Sequence, residues 1–261
     1  HNDARLRVEQ TRRSLNPGFC LAYARYLVRR KLQRQHDWFG ELRKQRPQQR
    51  YPLTHAMQTL QGQLDRIDRA SSLDSLRGLE GAAASTYFAG LRTVVPPSLE
   101  FNERNRRPPR DPFNALLSLT YTLAHAEAAL ALHAAGLDPC IGYYHQLSHS
   151  RESLACDIME TIRPLADRLC LKLVAQQVLT AEHFSQSDAG CLLGKAGRSR
   201  YYGAYEEHAQ PLRHAVQQEV RSLRQRIAPD MPEFECTRPD YDGDIYGALA
   251  DSSAEAAEAT P

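Results

Sequence analysis

Lysine is nearly missing from this sequence. Of its 33 basic residues only four are lysine, Lys31, Lys44, Lys172 and Lys195, so arginine carries the positive charge. The six cysteines (Cys20, Cys140, Cys156, Cys170, Cys191, Cys236) never fall in C-x-x-C spacing. That excludes a zinc ribbon, and a disulfide scaffold does not suit a chain of 261 residues. Reduced thiols in a cytosol are the expectation. No apolar run approaches the roughly 18 residues of a membrane span and no secretory leader is visible, so no membrane partner is expected. Convincing β-alternation is lacking throughout. There is no initiator methionine either: the chain opens at His1, and the expectation is a piece of a larger polypeptide.

What is present is ordinary in amount and uneven in distribution. Hydrophobic content of 42% and charged content of 25% suit a globular domain with one sizeable core. Residues 1–70 carry 15 Lys/Arg against 6 Asp/Glu, whereas 233–261 carry 8 acids against Arg238 alone. An arginine-rich face binds phosphate through planar, forked guanidinium groups, which suits a nucleic-acid backbone. GC-rich coding also inflates arginine, so the charge leaves both readings open.

The periodicity is helical. Leu21, Tyr23, Tyr26 and Leu27 line one basic helix, with Pro17-Gly18 read as a break before it. Asp111 followed by Pro112 reads as an N-cap with proline at the first helical position. A long buried helix over 113–135 follows, stopped by Gly136 and Asp138-Pro139. The next helix starts near Ser153, with Leu154, Ile158, Ile162, Leu165, Leu169 and Leu173 forming one apolar stripe. Pro164 should kink or divide it. A further helix spans 211–227. The fold class is all-α: one multi-helix domain over 1–237 and an acidic, mobile tail over 238–261.

The chemistry gathers at 142–164, GYYHQLSHSRESLACDIMETIRP. A histidine loop runs directly into a helix bearing Asp157 and Glu160, which leave the apolar stripe and project within about 60° of each other. The plainer alternative is a solvated acidic face, or a helical pair of Glu160 with Arg163. Glu80, among small residues in LEGAAASTYF, is a third candidate, and a helix-start carboxylate is its bland alternative. His145 and His149, four residues apart, compete for one role. Two carboxylates and an imidazole on separate elements are what a Mg²⁺ or Mn²⁺ phosphodiester site needs.

The segments LRGLEGAAASTYF (76–88), NRRPPRDPFNALLSLTYTLAHAEAALALHAAGLDPCIGYYH (105–145) and SLACDIMETIRPLADRLCLKLV (153–174) resemble the CRISPR-associated spacer-acquisition integrases, the first Cas protein family. RYYGAYEE and the arginine-rich helix after Pro211 extend the resemblance to roughly 1–230. It implies a helical catalytic domain whose usual N-terminal β-rich domain is absent from this chain. It implies metal ligation by Glu80, His145 and Glu160, with Asp157 beside them in a supporting role. His145 is favoured over His149 because it directly follows the Gly142-Tyr-Tyr segment. Arg163 and Lys31 are the expected DNA contacts. The family's common K-x-x-N-Q reads KLQRQ here, with Arg34 in place of asparagine. The loop HQLSHSRES also lacks the family's usual glycine and proline.

The activity so implied is a cytoplasmic, prokaryotic, metal-dependent DNA integrase and endonuclease. A 3′-hydroxyl of a captured fragment attacks a phosphodiester at the edge of a CRISPR repeat, and no nucleotide cofactor is required. The implied partners are double-stranded DNA, a second copy of the chain, a second Cas subunit, and a reverse transcriptase where the integrase is fused to one. Two alternatives stand beside this reading: a non-catalytic DNA-binding scaffold copy, and a plain helical interaction protein.

Overall fold

A computed structural model describes residues 4–229, apart from 106, 146 and 189. The acidic segment 238–261, expected to be a mobile tail, lies outside the described residues, as does the boundary placed at 237. Eight α-helices are described: α1 (Ala4–Ser14), α2 (Pro17–Gln45), α3 (Arg50–Leu64), α4 (Leu73–Arg92), α5 (Pro112–Ala134), α6 (Ser153–Ala175), α7 (Lys195–His208) and α8 (Gln210–Ile227). The class is all-α, as the periodicity predicts. One departure is a small antiparallel hairpin, β1 (Phe184–Ser187) and β2 (Gly190–Leu193), with Phe184 opposite Leu193 and Ser187 opposite Gly190. Its strands are four residues each, and three residues of β1 are exposed, so no alternation marks it. Tertiary support replaces the missing pattern. The Cys191 N–H donates to the Pro109 carbonyl at 2.8 Å, and Gly190, at φ +110°, sits where a Cβ would meet Pro108 and Pro109.

Local chemistry sets the helix ends. Asn16 accepts from the Phe19 N–H at 3.0 Å and Pro17 opens α2, so Pro17-Gly18 starts a helix rather than breaking one. Asp111 accepts from the Asn114 N–H at 2.8 Å ahead of Pro112, and Gly136 at φ +80° follows the end of α5. Ser72 and Ser75 form a reciprocal capping box at the start of α4.

Helix α6 is the central element, packed against α5, α2 and α8. Of its 23 residues 17 are buried, so apolar and polar faces alike lie inside the molecule. The predicted stripe is there: Leu154, Ile158, Ile162, Leu169 and Leu173 are buried and Leu165 packs partly against the core. Pro164 lies within α6 without dividing it. Asp157 and Glu160 are 0% and 4% exposed, which overturns the solvated acidic face. Helix α5 is, by length and composition, apolar enough to cross a membrane, contrary to the sequence expectation. It packs on α6 and α8 and carries Thr120, His125 and Glu127, which suits a core helix of this domain. The five described cysteines are free thiols.

Candidate active site

Asp157 organises the site. Its Oδ2 accepts from the backbone N–H groups of Tyr143 (2.7 Å) and Tyr144 (3.0 Å), and its Oδ1 from that of His145 (2.9 Å). The same Oδ1 lies 2.7 Å from the His145 ring Nδ1. One buried carboxylate thus grips three successive backbone amides and the imidazole they lead to. The chain can come this close because of Gly142, where a Cβ would stand 2.8 Å from the Ser153 carbonyl carbon and 3.0 Å from the Leu154 nitrogen. Gln10 on α1 holds the far side of the loop. Its amide donates to the carbonyls of Asp138 (2.8 Å) and Ile141 (3.2 Å) and accepts from the Asp138 N–H (2.9 Å).

With Nδ1 fixed, the other ring nitrogen faces α6: His145 Nε2 is 3.9 Å from Glu160 Oε1. His149 is exposed, so geometry joins His145 and not His149 to the acids. Glu80, on α4, is oriented by the Tyr144 hydroxyl, which donates to its Oε2 at 2.5 Å. Between the two glutamates sits Lys31 of α2, its Nζ 2.5 Å from Glu80 Oε1 and 2.6 Å from Glu160 Oε2. Lys31 was the expected DNA contact; its ammonium is buried between carboxylates instead. Arg163, the other expected DNA contact, donates from Nε to Glu160 Oε1 at 3.1 Å and lies 4.8 Å over the Tyr121 ring.

The electrostatics follow from this packing. Burial alone would push the Glu160 carboxyl up, but Arg163 and Lys31 beside it hold it well below the usual range. Burial opposes the charged form of Lys31, and the two carboxylates overcome that and raise it. His145 behaves likewise: burial lowers it, the bond to Asp157 and the charge of Glu160 raise it, and the net shift is upward. A cavity of about 220 Å³ opens beside these groups, with Gly81, Ala84 and Phe88 of α4 on one wall and Arg104, Tyr121 and Asp167 among the rest.

The donor set fits a hard divalent cation. Two carboxylate side chains and one neutral imidazole nitrogen match Mg²⁺ or Mn²⁺, and an acid on the far ring nitrogen is the usual support for a ligating histidine. Glu80, Glu160 and His145 Nε2 would hold the ion. Among the described residues no three His, Cys, Asp or Glu side chains enclose an ion as they stand, and the Lys31 nitrogen lies between the two glutamates.

The family model described as CRISPR associated protein Cas1 matches residues 1–207. The chain belongs to the Cas1 family. It is 40% identical over 230 residues to the CRISPR-associated endonuclease Cas1 1 of Thermodesulfovibrio yellowstonii, covering 87% of this chain and 72% of that protein. It is 33% identical over 240 residues to a Cas4/Cas1 fusion of Geobacter sulfurreducens, of which it spans 42%. Among solved structures, a Cas1 protein from Thermotoga maritima superposes with a TM-score of 0.77 at 27% identity, covering 87% of this chain and 71% of that one. A chain of a Cas6-RT-Cas1–Cas2 complex gives 0.77 at 27% identity, covering 86% and 26%.

Several parts of this Cas1 site went unread in the sequence. Tyr144 stands beside His145 in the motif, yet nothing in its spacing ties it to Glu80. Arg34, the departure from the family's asparagine, donates to the Thr161 carbonyl (2.5 Å) and to Glu219 Oε1 (3.0 Å). Glu219 on α8 also accepts from the Tyr26 hydroxyl at 2.7 Å and from Arg30 at 3.3 Å. Asp167, fully enclosed, takes hydroxyl bonds from Tyr87 (2.8 Å) and Tyr121, and burial pushes its carboxyl up to about 6 despite them. The one visible hint was chemical: a glutamate and an aspartate in apolar helical surroundings need partners.

Proposed function

We propose that this chain is the helical catalytic part of a divalent-metal-dependent DNA integrase and endonuclease acting on CRISPR repeats. The observation that carries the reading is the His145 ring. Its Nδ1 is fixed by a buried acid, and its Nε2 faces a glutamate held ionised at neutral pH. The names of Cas1 relatives as endonucleases support the reaction class. In strand transfer, a 3′-hydroxyl oxygen of a captured fragment bonds to a repeat-edge phosphorus while that phosphorus releases its former 3′-oxygen. One P–O bond forms and one breaks, and the leaving oxygen takes up the proton. With water as nucleophile the same exchange is hydrolysis.

A Mg²⁺ or Mn²⁺ ion, when bound, supplies Lewis-acid charge to the phosphate oxygens. The chain's own residues prepare the ground. Asp157 fixes the orientation of His145, Tyr144 fixes Glu80, and Arg163 with Lys31 keeps Glu160 deprotonated. Arg163 and Arg104, flanking Tyr121 at the cavity, add positive charge facing a phosphate. The partners in this reading are double-stranded DNA, a second copy of the chain and the second CRISPR-associated subunit, in a prokaryotic cytoplasm. The Cas6-RT-Cas1–Cas2 structure supports the second subunit and a reverse-transcriptase fusion as contexts for such a domain.

The test is a gel assay mixing labelled oligonucleotide, a repeat plasmid, Mn²⁺ and the second subunit. Joined product lost in Glu160→Ala is the expected result, and product at the wild-type level in that variant overturns the assignment. A scaffold copy gains some support from the ammonium between the glutamates. It would bind the same DNA without metal and join nothing.

A further inference from the structure

We propose that Lys31 is the resident cation of the carboxylate site, a positioning residue that holds Glu80 and Glu160 together until a divalent ion displaces it. The inference rests on the metal-site reading above and adds to it a role for the one lysine that no surface function explains. Lys44, Lys172 and Lys195 are exposed, whereas Lys31 is 7% exposed and reaches both acids from a third helix. Two glutamate carboxylates brought together with little water repel each other, and an ammionium between them removes that repulsion.

The same atoms make the ammonium and the ion rivals. Lys31 Nζ bonds Glu80 Oε1 and Glu160 Oε2, one oxygen of each acid that an ion would need. Two cations cannot share that gap without strong repulsion. Arg163 already holds the other Glu160 oxygen and Tyr144 the other Glu80 oxygen, so every oxygen of the pair has a partner. An oxygen with one such bond keeps a second lone pair for an ion, so charge and not valence sets the rivalry: the Lys31 ammonium occupies the space between the acids and repels an entering cation. Lys31 is the partner with somewhere to go: it lines the adjoining cavity of about 220 Å³, and its four-carbon stem is flexible. The chain thus presents a carboxylate pair already converged before metal arrives, at the cost of weaker metal binding.

This has an unusual sign. Removing a side chain from the site should tighten the ligand's grip. Mn²⁺ binding to the full chain without DNA, followed by electron paramagnetic resonance, should be about tenfold tighter or more in Lys31→Met than in wild type. Lys31→Gln, neutral but still polar, should also bind more tightly. Glu160→Gln serves as the reference and should lose the site. Unchanged or weaker binding in folded Lys31→Met and Lys31→Gln overturns the proposal.

Should both variants fail to fold, the wild-type protein decides by trace amine acetylation read by mass spectrometry. Lys44, Lys172 and Lys195 act as exposed internal references. Lys31 should label slowly without metal and markedly faster once Mn²⁺ saturates the site, and no change in its labelling overturns the proposal. If Glu160→Gln binds Mn²⁺ as wild type does, the metal-site reading falls and takes this inference with it. If binding depends on Glu160 but is indifferent to Lys31, only the inference falls.

Discussion

At the scale of single residues, Asp157 concentrates more of the site than any ligand does. Its two oxygens satisfy four donors with no solvent to substitute. Asp157→Asn keeps the shape but turns one acceptor into a donor facing backbone N–H groups. A loss of about 3 kcal/mol of unfolding free energy is expected in chemical denaturation, together with loss of strand transfer. Asp167 gives a pH signature of its own. Its carboxyl is raised from 3.8 to about 6 in the folded protein, so the folded state holds this proton more tightly than the unfolded chain. Stability from this group is therefore greatest below about pH 4 and falls as pH rises to about 6, by up to about 3 kcal/mol. Asp167→Asn should flatten that part of the stability curve, measured by thermal melting from pH 4 to 7. A curve of unchanged slope would remove Asp167 from the account.

At the scale of elements, the packing of α6 explains both what could be read beforehand and what could not. Its start near Ser153 and its apolar stripe were legible because Leu154 through Leu173 repeat at helical spacing, whereas its continuity through Pro164 was not. The fate of Asp157 and Glu160 was not, because a helical wheel describes one face and α6 is enclosed by three helices. The hairpin Phe184–Ser187 with Gly190–Leu193 was invisible for the opposite reason: its order comes from Pro108 and Pro109, about 80 residues upstream, and not from its own pattern. Pro164 removes the N–H that would bond the Glu160 carbonyl, and Arg34 donates to the carbonyl next in line, Thr161. Glu219 keeps that arginine in place, so Glu219→Ala should cost about 3 kcal/mol by removing the acceptor of the Tyr26 hydroxyl and leaving the Arg34 charge with the Thr161 carbonyl alone. Denaturant titration reads it, and a cost under about 1 kcal/mol would mean that the cluster relaxes freely. Gly142→Ala should push the loop off the start of α6 and lower metal affinity more than stability, checked by Mn²⁺ titration beside thermal melting.

At the scale of the whole molecule, the candidate ligands come from α4, the 135–152 loop and α6, while the lysine between them comes from α2. The motifs named Glu80, His145 and Glu160 in advance because each sits in its own short signature. Lys31 was given to DNA because a basic residue on an arginine-rich helix has no feature in sequence that says which way it faces. Only the crossing of α2 with α4 and α6 decides that. The link from Gln10 to Asp138 and Ile141 spans 128 and 131 positions of sequence, and it has a mechanical meaning. Helix α1 is a handle on the histidine loop: a pull or a twist delivered at residue 4 arrives, through one amide, a few residues from His145. Deleting residues 1–15 should speed hydrogen exchange at Tyr143, Tyr144 and His145 more than at α3. A domain joined ahead of α1 would have its grip on the site already installed, as a rudder stock has on the blade.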